Sequence, residues 1–402
     1  MKKSIILCLS AMLCAVLLCA CGGEGQEQQG GVPAEEPYPF TLDYHRCAPM
    51  VERQVGGDMV QAAGQVIDAF LAGETSVSLP QGEYGGNPGN NLGYALNSMF
   101  PLFLAATDYN DNHFDAANNT VSWQYTQSEE EIQKALAALA QTTEACMGRL
   151  RAGDSDMARA LVLYQALTEK AAYDYETASL DADSAEFQFR TSSYAALVLH
   201  SGICNSFAQA LAFLYTQAGL DCAAVMGDSA CAGFHMWLMA ELDGQWYYFD
   251  PTWDAGGTWR YFGMTAEDRA SWGGEFTDAS LLGQDAARLA ALDDRRFETL
   301  HGYDWQEMTV DREKQEAIFT SGEEKVELPL LKTGEKEMQK CRFGITVPKR
   351  HFFIWDRRQW PNVGQPIRPT MKMIRIMMGR TIRNTHRIQE ATFRPLPVLA
   401  SA

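Results

Sequence analysis

The sequence has few basic residues for its length of 402 residues. Lys and Arg number 33 against 51 Asp and Glu, which gives a formal net charge of −18. A phosphate backbone repels such a chain, so a general nucleic-acid binder is excluded. Cys-x-x-Cys pairs and metal-ligand spacings are also missing, so we expect neither a structural zinc nor another cofactor. The chain is nevertheless 46% hydrophobic, which excludes a wholly disordered protein.

The charge is unevenly distributed along the chain. Residues 331–402 hold 15 Lys and Arg against 4 Asp and Glu, so the rest is more acidic than the average. We expect this basic tail to be poorly ordered. It could lie on an anionic membrane or bind the acidic body, and it also has the Arg-rich, aperiodic composition of a shifted reading frame. The sequence leaves these alternatives open.

The N-terminus is typical of an exported lipoprotein. Lys2 and Lys3 precede an uncharged run up to Ala20, which predicts a secretory signal peptide at 1–20. The run ends Leu-Cys-Ala-Cys-Gly, which resembles a bacterial lipobox and implies that Cys21 is lipidated; the alternative is an uncleaved anchor. Either way we expect the body to be tethered at the extracytoplasmic face of the membrane. Residues 21–42, rich in Gly, Gln, Glu and Pro, are the predicted flexible tether.

Hydrophobic periodicity divides the rest into three predicted regions. Residues 43–150 are a mostly helical accessory α+β region, 151–275 the central domain and 276–330 its C-terminal extension. A capping box at Ser128 and Glu131 predicts a helix running towards residue 150. We further expect a loop at 81–91 and a helix from about 154 to 176.

Cys204 lies at the start of a predicted helix. Apolar residues recur after it at helical spacing, and Gly219 ends the pattern. A thiol in the first turn lies at the positive end of the helix dipole, which favours the thiolate. The alternative is a small buried cysteine that packs as a hydrophobic residue.

A predicted hairpin follows, and it brings a histidine and a carboxylate together. After a strand at 222–227, the strands 234–242 and 245–250 are joined by the two-residue turn Asp-Gly, typical of type I′. Leu242 then pairs with Gln245, and this register makes His235 a diagonal neighbour of Asp250 on one face. A carboxylate that holds an imidazole creates a general base, although a core histidine would also fit. With Cys204, the pattern predicts a Cys–His–Asp triad.

Three segments also resemble the transglutaminase-like core of bacterial proteins. They are Gly-Ile-Cys at 202–204, Phe-His-Met-Trp at 234–237, and Gly-Gln-Trp-Tyr-Tyr-Phe-Asp-Pro-Thr-Trp-Asp at 244–254, within a resemblance that covers 161–271. The resemblance implies an α+β, papain-like fold, with the catalytic cysteine at a helix N-terminus packed on an antiparallel sheet. It also implies that Cys204 is the nucleophile, His235 the base and Asp250 the residue that orients the base.

One feature departs from the family. Some members stabilise the oxyanion with an upstream tryptophan, but none occurs here between Trp123 and Trp237. The backbone N–H of Cys204 can supply one donor. Tyr194 and Gln188 are the candidates for the second donor, and each would otherwise be a core or loop residue.

Two further pairs of residues flank the predicted site. Trp237 and Trp253 are expected to wall it and keep water from the base. Cys222 and Cys231 lie on either side of the loop before the His235 strand, so they could form a disulfide outside the cytoplasm or remain unpaired.

Together these features predict a thiol enzyme that acts on amide bonds of a protein or peptide. Water as the acyl acceptor makes it a cysteine peptidase or amidase, and an amine makes it a protein-glutamine acyltransferase. We favour hydrolysis, because an enzyme tethered in bulk water must exclude water to favour amines. The alternative is a catalytically silent binding or scaffold lipoprotein on the same fold.

Overall fold

The computed structural model describes residues 36–229, 233–273, 294–330 and 391–392. The predicted signal peptide, Cys21, Cys231 and nearly all of the basic tail lie outside these ranges, so the predictions made for them stay predictions. Across the ranges that are described, every helix is too short or too polar to span a bilayer.

The N-terminal region is built from helices and a small sheet. The helices are α1 (Pro49–Val55), α2 (Gly57–Leu71), α3 (Pro88–Met99), α4 (Phe103–Ala106) and α5 (Glu129–Met147); the strands are β1 (Ser76–Ser78), β2 (His113–Asp115) and β3 (Thr120–Ser122). Both hydrogen bonds of the capping box predicted at Ser128 are present at the start of α5. α3 begins inside the predicted loop, because Asn87 caps it through the N–H of Asn90 and Pro88 occupies its first position.

The central region contains both helices and strands. Its elements are α6 (Asp156–Thr168), β4 (Ala172–Tyr173), α7 (Ala185–Arg190), β5 (Ser201–Gly202), α8 (Cys204–Gln217), β6 (Cys222–Ser229), β7 (Gly233–Leu242), β8 (Gln245–Phe249) and α9 (Ala266–Gly273). A π-helix at Ala195–Leu199 precedes β5. α6 ends eight residues before the predicted boundary, because the chain leaves the helix to form β4, which pairs in parallel with β5.

The C-terminal part adds α10 (Glu298–His301) and a meander of β9 (Glu307–Asp311), β10 (Glu316–Ser321) and β11 (Glu324–Pro329). A further short strand, β12 (Ala391–Thr392), pairs with β2.

The predicted hairpin register is confirmed. Leu242 pairs with Gln245, and the ladder continues to Leu238 opposite Phe249. Asp243 and Gly244 both have positive φ, 53° and 76°, as a type I′ turn requires. The sheet order β6-β7-β8 therefore places β7, which carries His235, in the middle.

The helix that starts at Cys204 packs on this sheet. α8 contacts β6 and β7 of the sheet as well as α6 and α3, and its residues from Cys204 to Gln217 are buried. Because every face of it is buried, α8 is a central core helix rather than an amphipathic surface helix. An α3 side chain also reaches the sheet, where the Tyr94 hydroxyl donates to the carbonyl of Ala224 at 2.8 Å. The predicted α+β class, with this helix on an antiparallel sheet, is confirmed.

Candidate active site

Cys204 is the first residue of α8, and its neighbours determine where the helix begins. The backbone N–H of Ile203 donates to the Ser206 hydroxyl at 3.1 Å. A Cβ atom at position 202 would lie 2.5 Å from the Cβ of Ser206, so only glycine fits beside this hydrogen bond. Gly202 and Ser206 thus place Cys204 in the first turn, where the helix dipole favours an anion.

The start of α8 is also held from its sides. The Asn205 amide donates to the carbonyl of Thr191 at 2.8 Å. The Gln209 amide lies 3.8 Å from the sulfur of Met236, the residue after His235 on β7. Cys204 itself is 4% exposed and packs in a small apolar cluster with Ala208, Ala224, Met226 and Met236. These contacts fix the thiol next to the strand that carries His235.

His235 and Asp250 form a buried pair. The His235 Nε2 lies 2.7 Å from the Asp250 Oδ2, and the two side chains are 4% and 0% exposed. The other carboxylate oxygen, Oδ1, accepts the backbone N–H of Trp253 at 3.3 Å. Because Nε2 is engaged by Asp250, Nδ1 is the ring nitrogen left to face the thiol of Cys204.

The electrostatics of the pair favour a protonated imidazole. Burial lowers the pKa of His235, but the charge of Asp250 and hydrogen bonds to Asp250 and Cys204 outweigh it and raise the pKa to about 9. Burial raises the pKa of Asp250, yet the charges of His235 and Arg269 lower it below its usual value. The three predicted residues are therefore adjacent and electrostatically coupled.

Two indole rings flank the imidazole. The Trp253 ring stacks on His235 at a centroid distance of 4.9 Å and an interplanar angle of 17°. Trp237 lies further away, at 6.3 Å and 22°. Trp237 is buried and Trp253 is half-buried. Both predicted walls thus lie beside the base and restrict its access to water.

The two candidates for a second oxyanion donor have other contacts. Tyr194 is buried in the hydrophobic core and packs against Phe189 at 5.9 Å between ring centroids. The Oε1 of Gln188 accepts the backbone N–H of Tyr109 at 2.9 Å, while its Nε2 is buried without a hydrogen-bond partner among the described residues. An oxyanion role for either residue stays a prediction.

The sequence did not indicate two residues that contact the site. Tyr173 on β4 pairs with Gly202, two residues before Cys204, and its pKa is raised by burial and then by the charge of Cys204. The Arg269 guanidinium donates from Nη1 to the Asp250 Oδ2 at 2.8 Å. Local patterns could not reveal either residue, because both reach the site through contacts between distant segments.

Cys222 is a buried thiol, and Cys231 lies outside the described residues, so the disulfide considered between the two stays a prediction. Cys222 lies at the first residue of β6 and interacts with Thr216 and Ala212 of α8. Within the described ranges, His, Cys, Asp and Glu side chains do not gather in groups of three that could hold a metal ion.

Residues 144–251 match the sequence model of the transglutaminase-like superfamily. No curated protein matches the chain. Among solved structures, it is similar to a protein described as a TGase, with 17% identity and a TM-score of 0.26, over 32% of this chain and 34% of that one. It is also similar to a candidate cysteine protease from Cytophaga hutchinsonii, with 15% identity and a TM-score of 0.23, over 32% of this chain and 43% of that one.

The chain thus spans less than half the length of either structure. The matched range contains Cys204, His235 and Asp250, and it includes α8 and the strands of the sheet on which α8 packs. Residues 144–251 of this chain form a transglutaminase-like domain.

Proposed function

We propose that the protein is a thiol enzyme that cleaves amide bonds through Cys204, His235 and Asp250 by way of an acyl-enzyme. The observation that carries the proposal is the buried histidine that interacts with both the thiol of Cys204 and the carboxylate of Asp250, the latter at 2.7 Å. A nucleophile, a base and a group that orients the base are the minimal set for such chemistry.

In the first half-reaction the Cys204 thiolate attacks the carbonyl carbon of the amide. The negative charge that develops on the carbonyl oxygen faces the start of α8, where the N–H of Cys204 can donate to it. The His235 imidazolium gives its proton to the departing nitrogen. The C–N bond breaks, an amine leaves, and a thioester to Cys204 remains.

In the second half-reaction a nucleophile attacks the thioester carbonyl, and His235 accepts its proton. The C–S bond breaks and releases the Cys204 thiolate, and the proton kept on His235 restores the imidazolium of the starting pair. Water releases an acid, whereas an amine forms a new amide. We favour water, since the protein is expected to work in bulk solvent.

Alkylation with iodoacetamide across pH tests the nucleophile. We expect Cys204 to react below about pH 7 faster than a free thiol, which is mostly protonated there. His235→Ala should move this reactivity to higher pH, whereas His45→Gln, which changes a histidine paired with Asp68 of α2, should have no such effect. If Cys204 reacts no faster than a free thiol, the enzyme proposal fails and a binding or scaffold role becomes the better explanation.

The acyl acceptor can be identified separately. Casein is incubated with the purified protein and a fluorescent primary amine, and both released peptides and incorporated amine are measured. Release without incorporation supports a peptidase or amidase. Incorporation without release would overturn the preference for water and assign an acyltransferase.

We also propose that Cys21 carries a lipid that tethers the protein outside the cytoplasmic membrane. The proposal is supported by the charged start, the apolar run and the Leu-Cys-Ala-Cys-Gly segment that ends it. Growth with radiolabelled palmitate should label the wild-type protein and not Cys21→Ala. Equal labelling of the two would contradict it.

A further inference from the structure

Arg269 is a buried arginine next to the site but outside the range that matches the superfamily model. It is the residue after Asp268, whose carboxylate caps the start of α9 by accepting the N–H of Thr265 at 2.9 Å. The Thr265 hydroxyl in turn accepts the N–H of Asp268 at 3.0 Å. This reciprocal cap fixes the first turn of α9 and with it the direction of the Arg269 side chain.

The guanidinium is bound on several sides. Nη1 donates to the Asp250 Oδ2 at 2.8 Å, the same oxygen that lies 2.7 Å from the His235 Nε2. The guanidinium carbon lies 4.6 Å from the ring centroid of Trp237 and 4.5 Å from that of Trp253. Burying a cation is costly unless it is paired, so a site with a carboxylate and two aromatic faces holds it strongly.

We propose that Arg269 is a positioning residue of the triad: held against Trp237 and Trp253, it fixes the Asp250 carboxylate that orients His235. Each carboxylate oxygen then has a defined donor. Oδ1 accepts the N–H of Trp253, and Oδ2 accepts from Arg269 while it holds the imidazole. The carboxylate cannot rotate without breaking one of these bonds, so the imidazole keeps the orientation that points Nδ1 at the thiol. This inference rests on the proposed function.

Trp237 and Trp253 each contact both His235 and Arg269. Each indole stacks on the imidazole of His235 and also carries the guanidinium on its face. The wall that limits water at the base therefore also holds the cation that fixes the carboxylate.

Charge provides the means of testing Arg269. Removing a cation raises the pH at which every neighbouring acid loses its proton. Arg269→Gln should therefore move both the acidic and the basic limb of the pH profile of alkylation to higher pH. The expected shift is on the order of one pH unit. The variant leaves unchanged the other titratable groups that interact with Asp250, Arg269 or their neighbours. They are His235, Asp254, Tyr164, Tyr248, Tyr261 and Cys204.

The experiment measures iodoacetamide alkylation of Cys204 across pH, by peptide mass spectrometry, in the full-length protein. Arg269→Gln should shift both limbs of the profile to higher pH. Arg269→Lys should leave the profile in place, because the positive charge is kept, but Cys204 should react several-fold more slowly, because an ammonium lacks the planar set of N–H donors of the guanidinium. Arg296→Gln is the matched control, since Arg296 pairs with Asp243 at the opposite end of the same hairpin.

Each outcome decides the inference. If wild-type Cys204 shows no enhanced reactivity, the proposed function fails first. If the wild type is reactive and Arg269→Gln leaves its profile in place, only the role of Arg269 is overturned. If Arg269→Gln does not fold, Arg269→Lys provides the test. A wild-type alkylation rate together with a wild-type pH profile in Arg269→Lys would overturn the positioning role.

Discussion

The Nε2 atom of His235 lies 2.7 Å from the Oδ2 atom of Asp250, although the two residues are fifteen positions apart. The two-residue turn between their strands sets this distance, because it fixes which residues face one another. Both side chains are buried, so the pair is shielded from competing water and salt. An interaction of this kind affects both the reactivity and the stability of the protein.

Cys204 should be the most reactive of the described cysteines at neutral pH. Burial, followed by nearby carboxylates, raises the pKa of Cys47 to about 12, and burial raises that of Cys146 to about 11 and that of Cys222 to about 12. Peptide mapping after brief iodoacetamide treatment at pH 7 should find the label on Cys204, and Cys204→Ala should lose it. Equal labelling of Cys47 would contradict the prediction.

Asp250→Asn should damage both catalysis and stability. Without the negative charge the imidazole loses the partner that orients it, so turnover should fall by about 10²- to 10⁴-fold. The variant also leaves the buried Arg269 without its ionised partner, which should cost about 3–5 kcal/mol in the free energy of unfolding. Urea denaturation measures the second effect. Asp243→Asn, in the turn at the opposite end of the hairpin, where the carboxylate pairs with Arg296, is the control and should leave activity close to wild type.

Stability should fall as pH rises from about 6.5 to about 9. The pKa of His235 is raised in the folded protein to about 9, from an ordinary value of 6.5. Folding therefore favours the protonated imidazole, and the stabilisation is complete below 6.5 and lost as pH rises through 9. Melting temperatures across this range should show the decline in the wild type. If His235→Gln declines equally, His235 is not its source.

Gly202→Ala should destabilise the protein and reduce the reactivity of Cys204. The added Cβ would lie 2.5 Å from the Cβ and 2.7 Å from the hydroxyl of Ser206, so the hydrogen bond that starts α8 must distort. We expect a loss of about 1–3 kcal/mol in the free energy of unfolding. Gly302→Ala, where a Cβ meets open space, should change it by less than about 0.5 kcal/mol. Equal effects of the two substitutions would contradict the explanation.

The sequence predicted the features that depend on local rules. The turn at Asp243 and Gly244 determines its own register, and the apolar spacing after Cys204 determines the helix. Both rules operate over a few residues, so a single sequence is enough to apply them.

The contacts that were not predicted join distant parts of the chain. Arg269 reaches Asp250 from a helix nineteen residues away, and an arginine in a helix is ordinarily exposed to solvent. Tyr173 reaches the site through the parallel pairing of β4 with β5. A strand of two residues has no periodic pattern from which this pairing could be predicted. The early end of α6 has the same origin, since tertiary pairing overrides helical spacing there.

The base and the carboxylate belong to one hairpin, whereas the nucleophile belongs to a separate helix. The first pair is held by the strand register, but the thiol is aligned with it by side-chain packing, such as the Gln209 contact with Met236. A small sliding of α8 along the sheet would therefore change the distance from sulfur to imidazole and leave the distance from imidazole to carboxylate intact. The protein thus sets these two distances by separate contacts, and a mutation or a bound partner could change one distance without changing the other.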